Sequence, residues 1–348
     1  MSQKTYRVIQ WATGTVGKVS LRHIIENPFF ELVGVLVTNP EKVGKDAGEL
    51  VGLPPTGVLA TNDVEAIIAL DADCVHFAPM LQDLDTVCRL LRSGKNVVSP
   101  IGPFFKYEHN AADVEKLEAA AQEGGTSFHG CGIHPGYVGD ILPMTLTRLM
   151  DRIDRLEVYE IADKQTTPSV YIEFMGFGLT PEELRDQPNV MAQAKVTFGE
   201  SMAMVLAGLG KEVEDLTETH EIAIARNDIP YPGGVIRKGT VAGQHWEWTM
   251  WTDGKPLLVY HLYYFLGNDT EPQWNLGESR HRIVFEGNPN MEMTLKATPD
   301  ADGASQFLGI TWTALLGATA IPQVCDAKPG VVNHFDLGVV QPRGLVRS

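Results

Sequence analysis

Up to about residue 135 the chain alternates between short apolar runs and stretches with helical spacing. Residues 6–12 form the first run, and a glycine turn separates them from a helical pattern over 16–26. Residues 32–38, Leu-Val-Gly-Val-Leu-Val-Thr, are apolar almost throughout, as expected of a strand covered on both faces of a parallel sheet. Further strands are predicted over 58–60, 74–78, 96–99 and 126–129. Helices are predicted over 81–93, where Leu84, Val87, Cys88 and Leu91 share one face, and over 111–123. Strands alternating with helices in this way predict βαβ units and a Rossmann-type, doubly wound parallel sheet of the α/β class.

After Pro143 the texture changes. Residues 156–162 read as a strand, and 181–185 and 190–209 as helices. Period-two alternation then dominates, with strands predicted over 219–226, 241–251, 256–266, 281–286 and 291–297. Asp253-Gly254 and Gly287-Asn288-Pro289-Asn290 punctuate two hairpins. The expected second domain is therefore α+β, built on a mostly antiparallel sheet. Trp246, Trp248, Trp251, Tyr260, Tyr263 and Tyr264 load it with aromatic surface, either as core or as a dimer interface. A long helical pattern with little charge over 304–324 is expected to pack back on the first domain.

Composition narrows the class. At 348 residues the chain suits two domains, and 44% hydrophobic residues suit a folded core. It has no run of about 18 apolar residues and no apolar leader, so a membrane-free, cytoplasmic protein is expected. Cys74, Cys88, Cys131 and Cys325 are scattered without a paired motif, which suits a reducing compartment. A formal net charge of -16 repels phosphate backbones and argues against nucleic acid as a partner.

The candidate chemistry begins at residue 12. Ala12-Thr13-Gly14-Thr15-Val16-Gly17 matches Gly-x-Gly-x-x-Gly with alanine in the first slot. It follows an apolar strand and opens an amphipathic helix, the context a dinucleotide fingerprint requires. Gly14 would let the backbone approach a pyrophosphate, Gly17 would let helix and strand pack closely, and free N–H groups at the helix start would meet the negative charge. An acidic residue is expected at the end of the second strand to hold a ribose hydroxyl. That place reads Val37-Thr38-Asn39-Pro40, and the first acid, Glu41, lies beside Lys42 and Lys45. Thr38, Asn39 and Lys42 are therefore cofactor-binding candidates, and the reading favours NADP or dual NADP/NAD use. The expected division is 1–140 with 304–348 as a discontinuous dinucleotide-binding domain, and 141–303 for substrate binding and oligomerisation.

With these features in place, the chain resembles the dihydrodipicolinate reductase-like superfamily, closest to the branch of 2,4-diaminopentanoate dehydrogenase and the native amine dehydrogenases. The resemblance is carried by residues 8–17, Ser93-Gly94-Lys95-Asn96-Val97-Val98-Ser99, Gly130-Cys131-Gly132-Ile133-His134-Pro135-Gly136-Tyr137 and Gly176-Phe177-Gly178-Leu179-Thr180-Pro181-Glu182-Glu183-Leu184. It implies a homodimer or higher oligomer, a Rossmann domain completed by C-terminal residues, and hydride transfer to a C=N bond. It also implies that the loops after Ser99 and from Gly132 to Tyr137 flank the nicotinamide. Ligands of parallel sheets sit beyond the strands' carboxyl ends, which adds Ala78, Pro79, Ser99, Pro100, Gly132 and Ile133 as cofactor candidates. Two departures matter. Residues 160–169 lack the histidines and Gly-Thr of the lysine-pathway reductases. Where the amine dehydrogenases place a glutamate after the Val-Val-Ser/Thr strand, this chain reads Pro100-Ile101-Gly102-Pro103-Phe104.

Hydride transfer needs positioning and usually a proton donor. His134 is the first candidate, with Tyr137, Glu108, Tyr171 and Glu173 behind it. The alternatives are cofactor positioning or a structural bond for His134, packing for Tyr137, and helix N-terminal charge for Glu108. His76, mid-strand, reads as a satisfied core histidine. No metal site is evident in the residue spacing; His129 and His134, five apart, are poorly spaced ligands. The expected function is an NAD(P)-dependent oxidoreductase for a small, largely apolar imine, amine or carbonyl. Pro100, Ile101, Phe104 and Phe105 would then form one pocket wall. The alternatives are a conjugated C=C reductase or a non-catalytic dinucleotide sensor.

Overall fold

The computed structural model describes residues 4–167, 169–186, 190–298 and 309–346. The chain forms two compact units, residues 1–137 with 309–348 and residues 138–308.

The first unit begins with β1 (Tyr6–Trp11), α1 (Thr15–Glu26), β2 (Phe30–Leu36), α2 (Ala47–Leu50), β3 (Ala60–Thr61) and α3 (Val64–Ala69). β4 (Cys74–Phe77), α4 (Leu84–Arg92), β5 (Asn96–Ser99), α5 (Ala111–Gly124) and β6 (Ser127–Gly130) follow. The second unit holds α6 (Ile141–Thr147), β7 (Arg152–Asp163), α7 (Ser169–Phe174), α8 (Pro181–Asp186) and α9 (Val190–Gly208). Its remaining strands are β8 (Asp215–Ala225), β9 (Ile229–Tyr231), β10 (Gly234–Ile236), β11 (Val241–Thr252), β12 (Lys255–Phe265), β13 (Thr270–Glu271), β14 (Arg280–Asn288) and β15 (Met291–Leu295). The chain then returns to the first unit with α10 (Gly309–Cys325), β16 (Gly330–Val331) and α11 (His334–Leu337).

The first unit's seven strands run in the order β16-β6-β5-β4-β1-β2-β3, every pair parallel. Both faces are covered, so the strands carry continuous apolar runs, as a doubly wound sheet requires. On one side Ile9, Trp11, Val75, Phe77 and Val97 pack with Val87, Leu91 and Leu117 from α4 and α5. On the other, Val8, Cys74 and Val98 pack with Ile24 of α1 and Ile321 and Val324 of α10. Gly317 explains how closely α10 settles: a Cβ there would stand 2.6 Å from the ring of His76. The described part of the predicted C-terminal helix thus covers the N-terminal sheet; residues 304–308 of that prediction lie outside the described residues.

The second unit's large sheet runs β13-β8-β11-β12-β7-β14-β15. All its pairs are antiparallel except β7 with β12. Asp253 (φ 50°) and Gly254 (φ 68°) form the left-handed pair that turns β11 into β12. Alternation sorts the aromatic residues. Trp246, Trp248, Tyr260 and Tyr264 are buried, whereas Tyr263 stacks on His245 from the opposite face, 3.8 Å between ring centroids.

Candidate cofactor and active site

The turn after β1 is held by a side chain the sequence reading passed over. Gln10 is fully buried mid-strand, and its Nε2 donates to the carbonyls of Ala12 at 2.9 Å and Trp11 at 3.2 Å. Ala12 takes the first slot of the fingerprint at φ 68°, the left-handed region that favours glycine. A Cβ on Gly17 would overlap the Ala12 carbonyl oxygen, so the third glycine is what lets α1 close on the turn. Gly14 is different. A Cβ there would meet nothing within 4 Å, so open space lies in front of the first free N–H groups of α1. Thr13 is buried and Thr15 and Val16 half-buried. This arrangement fits a dinucleotide pyrophosphate: an open backbone approach, a helix N-terminus of twelve residues, and no acid in its first turn.

Beyond β2, Thr38 and Asn39 are exposed. Asn39 Oδ1 accepts from the Glu41 N–H at 2.9 Å and starts a 3₁₀ turn over Pro40–Lys42. That turn carries Lys42 back over the cradle, where Nζ donates to the Thr13 carbonyl at 2.8 Å and to Thr13 Oγ1 at 3.1 Å. Burial, then the charges of Lys18 and Lys45, lower the Lys42 ammonium from its ordinary value. Lys18 and Lys45 thus lie near enough to Lys42 for their charges to act on it, just beyond the strand end where NAD-type sites place an acid. Lys18, on the exposed side of α1, also escaped the sequence reading.

The loops after β4, β5 and β6 meet backbone to backbone. The Ala78 N–H donates to the Trp11 carbonyl at 3.0 Å, so Ala78 and Pro79 leave the sheet beside the cradle. Gln82 Nε2 donates to the Gly102 carbonyl at 2.9 Å, tying the β4 loop to the β5 loop. Ser99 is buried, its carbonyl accepting from the Cys131 N–H at 3.0 Å and its hydroxyl from the Ile101 N–H at 3.4 Å. A Cβ on Gly130 would overlap the Pro103 carbonyl, and one on Gly132 would lie 2.9 Å from the Pro135 carbonyl and 3.7 Å from that of Pro100. Ile133 N–H donates to Thr313 Oγ1 of α10 at 3.3 Å, which anchors the loop. His134 is buried within this loop and Tyr137 is half-buried at its end.

The remaining candidates are carried by other elements. Glu108 is exposed on a 3₁₀ turn (Glu108–Asn110) leading into α5. Phe104 and Phe105 line a cleft with Val114, Glu118, Val331 and Asn333, toward α5 and β16. Ile101 packs on the core beneath the sheet. In the second unit, Tyr171 is half-buried and Glu173 exposed on α7. That helix runs into Gly176 and Gly178, both left-handed, and Gly178 N–H donates to the Val241 carbonyl at 2.9 Å.

His76 is a core residue, but not a fully satisfied one. Nε2 lies 3.4 Å from Ser20 Oγ, while Nδ1 has no hydrogen-bond partner. Burial, then nearby His23, pushes its pKa down to about 4. His129 is also sealed in, with Nδ1 2.9 Å from the Val332 carbonyl; burial and then His334 push it down to about 3. Neither imidazole is poised to titrate near neutral pH.

No described helix is long and apolar enough to cross a membrane. Residues 8–121 match the dihydrodipicolinate reductase N-terminus, and residues 137–346 match the 2,4-diaminopentanoate dehydrogenase C-terminal domain. An amine dehydrogenase of Streptomyces virginiae is 31% identical over 94% of this chain and 95% of its own length. The 2,4-diaminopentanoate dehydrogenase of Acetoanaerobium sticklandii is 26% identical over 67% of this chain and 62% of its own. In fold, an amine dehydrogenase structure from Mycobacterium smegmatis superposes with a TM-score of 0.81 at 19% identity, covering 98% of both chains. The chain belongs to the 2,4-diaminopentanoate dehydrogenase family, with a dihydrodipicolinate reductase-type N-terminal domain, and is an NAD(P)-dependent oxidoreductase.

Proposed function

We propose that this enzyme interconverts a small, largely apolar amine with its imine or ketone, using NADP in preference to NAD, or either of the two. The observation that carries the reading is the end-to-end 31% identity with an amine dehydrogenase, set on a backbone cradle open at Gly14. The lysines around Thr13 support a 2′-phosphate, since a phosphate monoester gains charge-assisted bonds from Lys42 and its neighbours. Pro100, directly after Ser99, supports a substrate without a second charged group, because it offers no partner for one.

When bound, the nicotinamide supplies or accepts the hydride. The protein's part is positioning and proton transfer. The loops at Ser99–Pro100 and Gly132–Ile133 would hold the ring, and their backbone-to-backbone packing fixes them in place. His134 is the proposed acid–base residue, with Tyr137, Glu108, Tyr171 and Glu173 as further candidates. The second unit would serve substrate binding and a homodimer.

The test follows the nicotinamide absorbance band with a panel of small ketones, with and without ammonia. Oxidation of reduced cofactor that requires ammonia supports the amine reading; equal rates without ammonia make the enzyme a carbonyl reductase. Tight cofactor binding with no turnover on any ketone would contradict both. His134→Ala is expected to lower kcat by about 10²–10⁴-fold while leaving the cofactor Kd nearly unchanged. Equal loss of both would make His134 a positioning residue.

A further inference from the structure

The second unit carries a side-chain cluster that the oxidoreductase reading does not use. Glu247 of β11 stands directly opposite His261 of β12, and His245 stands opposite Glu221 of β8. Register and alternation therefore bring two histidines and two carboxylates to one face of the sheet. We propose that His245, Glu247 and His261 hold one divalent first-row transition-metal ion of the imidazole-seeking class, such as Zn²⁺ or Co²⁺.

The distances suit such an ion. His245 Nε2 lies 3.3 Å from His261 Nδ1, and Glu247 Oε2 lies 3.6 Å from the same nitrogen. Donors about 2.0–2.1 Å from a tetrahedral ion stand about 3.3–3.4 Å apart. All three donor atoms lie within 4.8 Å of one another.

The surroundings point the same way. Both imidazoles are more than nine-tenths buried, at 6% and 7% exposure. Burial is the main cause lowering both pKa values, that of His261 to about 4, so each ring is neutral near pH 7 and keeps a lone pair to donate. Glu221 lies 3.5 Å from His245 Nδ1 and favours a proton on that nitrogen, which turns the Nε2 lone pair toward Glu247 and His261. Thr249 Oγ1 donates to the other oxygen of Glu247 at 3.4 Å. The rings are held flat by stacking, His261 on Tyr159 at 4.3 Å and His245 on Tyr263 at 3.8 Å. Glu247 is one-third exposed, which leaves an entry path and an open coordination position.

The test uses the full chain, stripped with a chelator and titrated with Co²⁺ and then Zn²⁺, with calorimetry and the visible Co²⁺ spectrum as readouts. The expected result is one ion per chain with the intense bands of a four-coordinate site, displaced by Zn²⁺. Glu221→Gln should weaken binding about 10- to 100-fold, and Glu247→Gln and His245→Asn by more. Glu247 is partly exposed, so its variant remains informative if His245→Asn fails to fold. Absence of binding by the wild type, or affinity unchanged in Glu247→Gln, would overturn the proposal. Neither readout depends on turnover, so it stands or falls apart from the amine reading.

Discussion

The carboxyl-end loops of the first unit and the sheet face of the second are built by opposite means. The loops are made of backbone: Gly17, Gly130 and Gly132 are required because a neighbouring carbonyl occupies the space of a Cβ. The sheet face is made of side chains placed by cross-strand register, with His245, Glu247, His261 and Tyr263 contributed by two strands. A backbone-built site is written in contiguous residues, whereas a register-built one is scattered along the chain. The first should tolerate exchange of side chains but not an added methyl group, and the second the reverse.

Gly17→Val tests the backbone side most severely. Its branched side chain must displace the Ala12 carbonyl, so dinucleotide affinity is expected to fall more than about 100-fold, or about 2.7 kcal/mol. Undiminished binding, measured by fluorescence quenching, would break the comparison. Acid comes next. His76 and His129 sit near 4 and 3 in the folded chain, below the ordinary value of 6.5. Below that value the unfolded chain binds protons that the folded chain refuses, so stability is lost as pH falls from about 6.5 toward 4. The loss should be about 2–3 kcal/mol per histidine, read from denaturant midpoints across that window, and His76→Gln should reduce the slope. A flat profile would remove the burial argument.

Smaller effects separate the cofactors. Lys42→Met is expected to weaken NADPH about tenfold, or about 1.4 kcal/mol, with little change for NADH. Equal losses would make Lys42 a brace for Thr13 rather than a phosphate ligand. The smallest effect belongs to Ala12→Gly. Relief of the left-handed strain, about 1–2 kcal/mol, is offset by the unfolded-state freedom of glycine, about 0.4–1 kcal/mol. The net should be about 0.5 kcal/mol of added stability, visible in thermal melts.

Much of the first unit was legible because βαβ alternation is local. β5 falls where the apolar run predicts, and α5 differs by one residue at its end. The short α3 escaped, since its six residues have too little period to register and its start rests on Asp63 Oδ1 accepting the Ala66 N–H at 3.0 Å. β7 and β8 begin four residues before their predicted starts, because Arg152–Arg155 and Asp215–Glu218 are three-quarters polar and only pairing makes them strand. The cradle glycines were legible as a motif; Gln10, Lys18 and Thr313 were not, since their value comes from what folding brings near them. The cluster at His245, Glu247 and His261 was invisible in the residue spacing, because sixteen residues separate its two histidines along the chain.

The central claim is that the open backbone at Gly14 receives a dinucleotide pyrophosphate. Gly14 has an ordinary φ of -71° and room for a Cβ, so Gly14→Ala should melt as the wild type does. Titration of both proteins with NADPH and NADH, followed by fluorescence, tests it directly. The account predicts saturable binding by the wild type and more than about tenfold weaker binding by the variant. Failure of the wild type to bind either cofactor, or equal affinity in the two proteins, would contradict it.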